Sequence, residues 1–553
     1  MSVKRLGHLL TSATGPAGWT GLTPTEEEPI DPVSTQSQRT REVGAVRAYH
    51  PDTIPALASL LDELARERVH YCLWKSNVRL ADGLGGRTDL DMLVDREQAP
   101  LFREILDRRR LKPLVAAKGS AYPGIEHFLG LDDISGRLFH LHVHYQLVLG
   151  ERYVKNYRLP IEREVLGSIR LLEGVPVPQA ALELSILAVR ALLKYRGRDA
   201  VKDILGIRSP GIPPEMQKEI AWLLDQTSVD EVRHVLGVSG GPIPVEPVCR
   251  FLDLFTEDAR SGFTWLRLRG DLRKALGRLE RRSRLRASIA YWGAAWRRRR
   301  WFGRRFPRAR MTPMAGGLTV ALVGADGSGK STAVGALERW LGWKVDVRVY
   351  YLGSKAPSRQ TRWLTVAFRA LRRAHRAVSR WRAVGSHAAR PIGSLRDMAL
   401  GLRYLMIGRD RVRRHRAGHR DAQAGRVVIF DRFPLESLSS EDVHRALDGP
   451  KISRALGASM GRVTRALARA EERMYRGFGV PDYLIVLGVR PEISAGRKPD
   501  HVFEVLEVKS RAALELAALA EQSSEPVGVI RVDANRSLED VLLEIKRRLW
   551  DVL

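Results

Sequence analysis

Hydrophobic positions first become periodic at PALASLLDELARER, where Leu57, Leu60, Leu61 and Leu64 recur at helical spacing. The apolar runs VHYCLWK (69–75) and TDLDMLVD (88–95) read as strands, and LFHLHVHYQLVL (138–149) reads as one further strand that closes this region near Gly150. From about residue 177 to 290 the pattern turns helical, in QAALELSILAVRALLKY, PEMQKEIAWLLDQ and VCRFLDLF. The last part alternates. LTVALVG, KVDVRVYYLG, RVVIFD, DYLIVLGV and VGVIRVDA read as strands with helices between them. That alternation predicts a parallel sheet covered on both faces, an α/β architecture. A long, basic, helical segment from about Ser354 to Gln423 interrupts it between the second and third strands.

These patterns divide the chain into a tail over residues 1–50, an α+β region over 51–175, a helical extension over 176–290, a linker over 291–315 and an α/β region over 316–553. The tail is rich in Thr, Ser, Pro, Gly and Glu and is expected to be disordered. The main boundary falls near residue 312.

A chain of 553 residues exceeds what one hydrophobic core organises, and 44% apolar content suits folded protein. Lys and Arg outnumber Asp and Glu by 92 to 63, a formal charge of +29 that favours anionic partners. The cysteines are Cys72 and Cys249, too few and too distant for a disulfide framework or a zinc cluster. No apolar run is long enough for a membrane span, and no signal-peptide core stands at the N-terminus, so a cytoplasmic location is expected.

VALVGADGSGKST (320–332) carries the sharpest chemistry. Gly324, Gly329, Lys330 and Ser331 satisfy G-x-x-x-x-G-K-[ST] between an apolar strand and a helix. Glycines let the backbone N–H groups of Gly324, Ala325, Asp326, Gly327, Ser328, Gly329, Lys330, Ser331 and Thr332 curl around phosphate, beside the positive end of the helix. Lys330 can reach the β- and γ-phosphates of ATP, and the Ser331 hydroxyl can ligate Mg²⁺. Downstream, VVIFDRFP ends a strand with Asp431, placed to orient Mg²⁺ through water or polarise an attacking oxygen, and Arg432, placed to clamp an acceptor phosphate. Phosphoryl transfer needs positive charge near the moving group, and Arg490, Arg497 and Lys498 follow the next strand.

These motifs, in order with VIRVDANRSLEDV, resemble thymidylate kinase and its relatives among the P-loop nucleoside monophosphate kinases, over about residues 316–553 apart from the basic insertion. The resemblance implies transfer of the ATP γ-phosphate to a dTMP-like nucleotide or related phosphorylated acceptor. It matches Asp431 and Arg432 to the family's Asp-Arg pair at the acceptor phosphate and Arg497 to the lid arginine. The insertion is longer and more basic than in compact members, and the family's base-reading residues have no clear counterpart.

In the first region, Asp89 and Asp91 alternate on one strand, so both carboxylates face the same way, as a Mg²⁺ site requires. With Lys75 and Ser76 ending the preceding strand, WKSNVRLADGLGGRTDLDMLVDR resembles the polymerase-beta type of nucleotidyltransferase over about residues 55–175. The usual Gly-Ser turn is replaced by Lys75-Ser76-Asn77. The strand expected to carry a third acid instead alternates His140, His142 and His144 with Phe139, Leu141, Val143 and Tyr145. The apolar set is expected to pack inward and the histidines to share the other face. Two further readings stand beside the kinase: a nucleotidyltransferase with an auxiliary kinase half, and a nucleotide-gated binding protein without catalysis.

The linker RRSRLRASIAYWGAAWRRRRWFGRRFPRAR mixes arginine with Trp292, Trp296, Trp301 and Phe306. It reads as a solvated connector or as a contact to an acidic membrane surface. Nucleic acid is not expected, since no sequence-reading module accompanies it.

Overall fold

The computed structural model describes residues 48–117, 120–151, 154–204, 212–257, 262–297, 310–353, 357–380, 386–434, 449–457, 460–523 and 526–553. The expected tail up to residue 47 and the linker residues 298–309, including Trp301 and Phe306, lie outside them. Residues 48–553 group as one compact unit. Among the described residues, no helix is long and apolar enough to cross a membrane.

The first half builds β1 (Tyr71–Leu73), β2 (Asp89–Val94), β3 (Lys112–Val115), β4 (Ile125–Leu131) and β5 (Leu138–His144), then two hairpins, β6 (Leu147–Glu151) with β7 (Val154–Leu159) and β8 (Ile169–Leu172) with β9 (Val175–Pro178). A short strand from the end of the expected linker, β10 (Thr312–Pro313), completes a six-stranded sheet of order β1-β2-β5-β4-β3-β10. Within this sheet β2 and β5 pair in parallel and the other neighbours pair antiparallel. The run 138–149, read as one strand, is two. The chain turns after Tyr145, whose N–H donates to the Gly124 carbonyl, and the Leu147 N–H donates to the Glu162 carboxylate, so β6 leaves the sheet to pair with β7.

One face of this sheet carries Phe139, Leu141, Val143 and Tyr145 into a core with Leu57, Leu60, Leu61 and Leu64 of the helix Pro55–Arg66. Apolar alternation in β5 and helical spacing in that segment are thus the two sides of one interface. The helix Ala180–Lys194 is buried nearly all round and centres a second core with the helices Pro214–Leu224 and Val245–Thr256.

The second half forms β11 (Leu318–Gly324), β12 (Val347–Tyr351), β13 (Val427–Asp431), β14 (Tyr483–Gly488) and β15 (Gly528–Asp533). They pair in parallel in the order β12-β13-β11-β14-β15. Alternate residues of β11 feed opposite cores: Leu318, Val320 and Leu322 meet the helices Lys330–Leu341 and Leu538–Val552, while Ala321 and Val323 meet the helix Phe503–Gln522. The sheet is therefore covered on both faces. The basic insertion forms the helices Arg359–Arg380 and Ser386–Gln423, packed on each other, and the second also packs on the helix Arg462–Arg476.

Gly130 of β4 lies opposite Phe139 of β5, and a Cβ at Gly130 would meet the Phe139 ring at 2.1 Å. Phe139 is 1% exposed and has no room to move. Gly130→Ala is expected to lower unfolding free energy by about 1–3 kcal/mol, the usual range for overpacking. Urea titration followed by circular dichroism measures it, and an unchanged midpoint would contradict this packing.

Candidate functional site

The glycine turn follows β11 at the centre of the parallel sheet, where the strand order reverses and the carboxyl ends leave a crevice. Gly324, Gly327 and Gly329 have φ of +159°, +88° and +87°, values that a Cβ disfavours. A Cβ at Gly324 would also meet the Leu487 carbonyl oxygen at 2.7 Å. The loop opens the helix Lys330–Leu341. The Lys330 side chain is buried in the turn, where Nζ donates to the carbonyls of Gly324, at 2.8 Å, and Ala325 and lies 3.4 Å from Ser328 Oγ.

Asp431 is in register with Leu322 on the neighbouring strand, and its Oδ2 stands 3.4 Å from Ser331 Oγ. Parallel pairing thus brings together two groups 100 positions apart. Arg432 has a left-handed backbone, φ +68°, and Nη2 donates to Asp326 Oδ1 at 3.0 Å. Lys509 of the helix Phe503–Gln522 donates to the other Asp326 oxygen. Burial raises the Asp326 carboxyl, but Lys509, Arg432 and Lys330 outweigh it and hold the group well below the usual carboxylate range. Arg497 Nη1 reaches the carbonyls of Ala534, at 3.1 Å, and Gly327, at 3.5 Å. The structure therefore brings Lys330, Ser331, Asp431, Arg432 and Arg497 around one loop. Arg490 instead points its backbone N–H at Asn535 Oδ1, 2.8 Å away. Lys509 was invisible to sequence reading, because a lone lysine in a helix carries no motif.

The donor set suits ATP with Mg²⁺. Ser331 and Asp431 offer hard oxygens, and a Cβ at Gly329 would meet nothing within 4 Å, so the loop is open there.

The first sheet holds a different cluster. Parallel pairing sets Asp89 beside His140 and Asp91 beside His142, with Asp89 Oδ1 to His140 Nδ1 at 2.8 Å and Asp91 Oδ1 to His142 Nδ1 at 2.7 Å. His127 of β4 joins them, its ring stacked on His142 at 4.7 Å and on His140 at 5.4 Å. Sequence reading missed His127 because only strand pairing places it there. Part of the face is closed to solvent: His140 and His144 are 2% and 0% exposed, and Trp74 packs edge-on against His144, while the Asp89 side chain at the rim stays 39% exposed.

Each carboxylate already has a lysine. Lys75 Nζ is 2.7 Å from Asp91 Oδ1, and Lys344 Nζ binds Asp89. Two ammonium groups and the imidazoles surround these carboxylates in place of the oxygen-rich shell that Mg²⁺ takes, so the surroundings do not fit the Mg²⁺ pair expected of Asp89 and Asp91. Among the described residues, Asp91, His142 and His144 are the groups with metal-ligand spacing, their ligand atoms all within 4.8 Å, and Asp89 is outside that set. Ser76, in the turn that replaces Gly-Ser, takes φ +64°, and its N–H donates to Glu219 Oε1 at 2.7 Å.

Lys155 and Lys194 add charge to the same interior. Burial, then repulsion from Lys75, pushes Lys155 down to about 7, and burial, then Arg190, pushes Lys194 down to about 8. Burial also lowers the titration of His142 and sends that of His127 down to about 3, keeping these rings neutral.

No protein-family model matches the chain, and no curated protein matches it. Among solved structures, deoxyadenosine kinase from M. mycoides with bound dATP aligns at 14% identity over 42% of this chain and 98% of that one, with a TM-score of 0.25. A likeness of that size assigns neither fold nor activity.

The lysine shift has a signed consequence. Below about pH 7, Lys155 is charged in folded and unfolded chains alike, and its burial opposes folding. As pH rises from there towards the model-peptide value of 10.5, only the unfolded chain keeps the proton, so folding gains. Lys155→Met is expected to melt above the parent at about pH 6, with an advantage that shrinks by about pH 10. Melting curves across that range decide it, and a pH-independent difference would rule out a depressed lysine.

Proposed function

We propose that the second half of the chain catalyses ATP- and Mg²⁺-dependent phosphoryl transfer to a nucleoside monophosphate, dTMP-like, or a related phosphorylated acceptor. The observation that carries this reading is the 3.4 Å approach of Ser331 Oγ to Asp431 Oδ2 beside a lysine curled inside a glycine turn.

Transfer of a phosphoryl group requires little covalent chemistry from protein and much positioned charge. Lys330 spends its hydrogen bonds on loop carbonyls, a partnership that phosphate oxygens can take over without moving the backbone. Mg²⁺, when bound, supplies charge neutralisation at the phosphate oxygens, and Ser331 and Asp431 are the residues that would hold it. Arg432 and Lys509 share the Asp326 carboxylate. An incoming phosphate finds both cations already beside the loop and competes with one acid for them. Arg432 is the acceptor clamp in this scheme. Arg497 crosses from Gly327 to Ala534 and supplies charge at the moving group.

The test is a product assay on the full chain with γ-labelled ATP, Mg²⁺ and a panel of nucleoside monophosphates headed by dTMP. A labelled nucleoside diphosphate is the expected product. Lys330→Ala is expected to lower turnover about a hundredfold or more, and Asp431→Asn to lower turnover while ATP affinity stays close to the parent. Pyrophosphate release would shift the defining chemistry to nucleotidyl transfer in the first half. ATP binding without any labelled product would leave a nucleotide-gated binding protein.

A further inference from the structure

The helix Arg284–Arg297 packs by one side against β7 and shows the other to solvent. Tyr291 marks the inner side: it is 7% exposed, and the Arg196 guanidinium lies 3.7 Å from its ring centre. On the outer side Leu285, Ile289, Trp292 and Trp296 are 73%, 64%, 67% and 57% exposed. Their spacing of four, three and four positions puts them in one stripe along the helix.

Scattered exposed apolar residues need no explanation, but a stripe of large ones does. This stripe has a particular composition. It pairs aliphatic side chains with indoles, which settle where an apolar layer meets water. Arginines border it: Arg282, Arg284 and Arg286 are all exposed. No carboxylate lies within the helix, and the nearest acid along the chain, Glu280, is bonded to Arg284. By sequence alone the chain then continues RRRWFGRRFPRAR, with no acid at all.

Apolar ridge and positive border together choose the partner. A protein interface for such a ridge would bury the arginines or need acids opposite them. An anionic bilayer accepts both features at once, since acyl chains take the ridge and headgroups take the guanidinium groups. We propose that this ridge docks the chain in-plane on an anionic lipid surface. Leu285, Ile289, Trp292 and Trp296 enter the headgroup boundary, and Arg282, Arg284 and Arg286 lie at the phosphates. The inference is independent of the kinase reading.

Full-length protein is mixed with vesicles of phosphatidylcholine alone or containing roughly 30% phosphatidylglycerol, and bound protein is separated by flotation. Anionic vesicles are expected to bind the parent at least about tenfold more tightly than neutral ones, and Ile289→Glu with Trp292→Glu to lose about tenfold or more. Both residues are largely solvent-exposed, so the variant is expected to keep the parent's circular dichroism and melting temperature, which are measured alongside. Trp292→Phe, which keeps an apolar ring, is expected to retain most of the binding and separates ridge insertion from misfolding. Equal binding of parent and double variant would overturn the proposal and leave unspecific charge attraction. A parent that ignores vesicles but sediments as a dimer, with a monomeric double variant, would also overturn it and make the ridge a contact between copies.

Discussion

The helix Lys330–Leu341 ties the molecule's two chemical centres together. Its N-terminus is the glycine turn, and just past its C-terminus Trp343 packs against His140 while Lys344 binds Asp89. A helix of this length spans about 18 Å at 1.5 Å per residue and transmits position stiffly. The phosphate loop and the histidine face therefore cannot shift independently without breaking the Lys344–Asp89 ion pair or unpacking an indole. Strand β10 adds a backbone link, since Thr312 and Pro313 extend the first sheet just before the chain enters β11. Arg547 near the C-terminus also donates to the Asp133 carbonyl, and Arg110 pairs with Asp551.

Low dielectric around the histidine face explains its chemistry. Burial favours neutral groups, and the rings of His127, His142 and His144 accordingly titrate low. Burial raises the Asp91 carboxyl, yet the Lys75 ammonium and the adjoining imidazoles hold it well below the usual range. Such a cluster is a network whose members depend on one another: removal of either lysine leaves a carboxylate facing imidazoles alone. The phosphate loop uses the same physics at a more open site, where Asp326 keeps Lys509 and Arg432 in place.

Much of this was legible beforehand. Strand parity in β2 and β5 put Asp89, Asp91 and the histidines on one face, and the glycine spacing located the turn that curls around Lys330. The central strands of the second half were legible too, because buried parallel strands read as apolar runs, while the edge strand read over 344–353 is shorter, Val347–Tyr351. Other residues had no such signal. His127 reaches the cluster through antiparallel pairing with His142, Lys344 through the far end of a helix, and Lys509 through a helix on the opposite face of the sheet. Each is one polar residue in an ordinary context. The break after Tyr145 was also hidden, because the apolar alternation runs through it unbroken.

Local pattern settles what depends on neighbours in the chain: periodicity, turns needing glycine, and the parity that assigns side chains to faces. Position 100 residues away is another matter, and the meeting of Ser331 with Asp431 follows from strand order and register. The carboxylates show the difference most clearly. Asp89 and Asp91 read as a metal pair because spacing reveals orientation and nothing of what lies opposite. Folding sets Lys344 and Lys75 against them, and a carboxylate already paired with an ammonium ion has much of its charge balanced before any cation arrives.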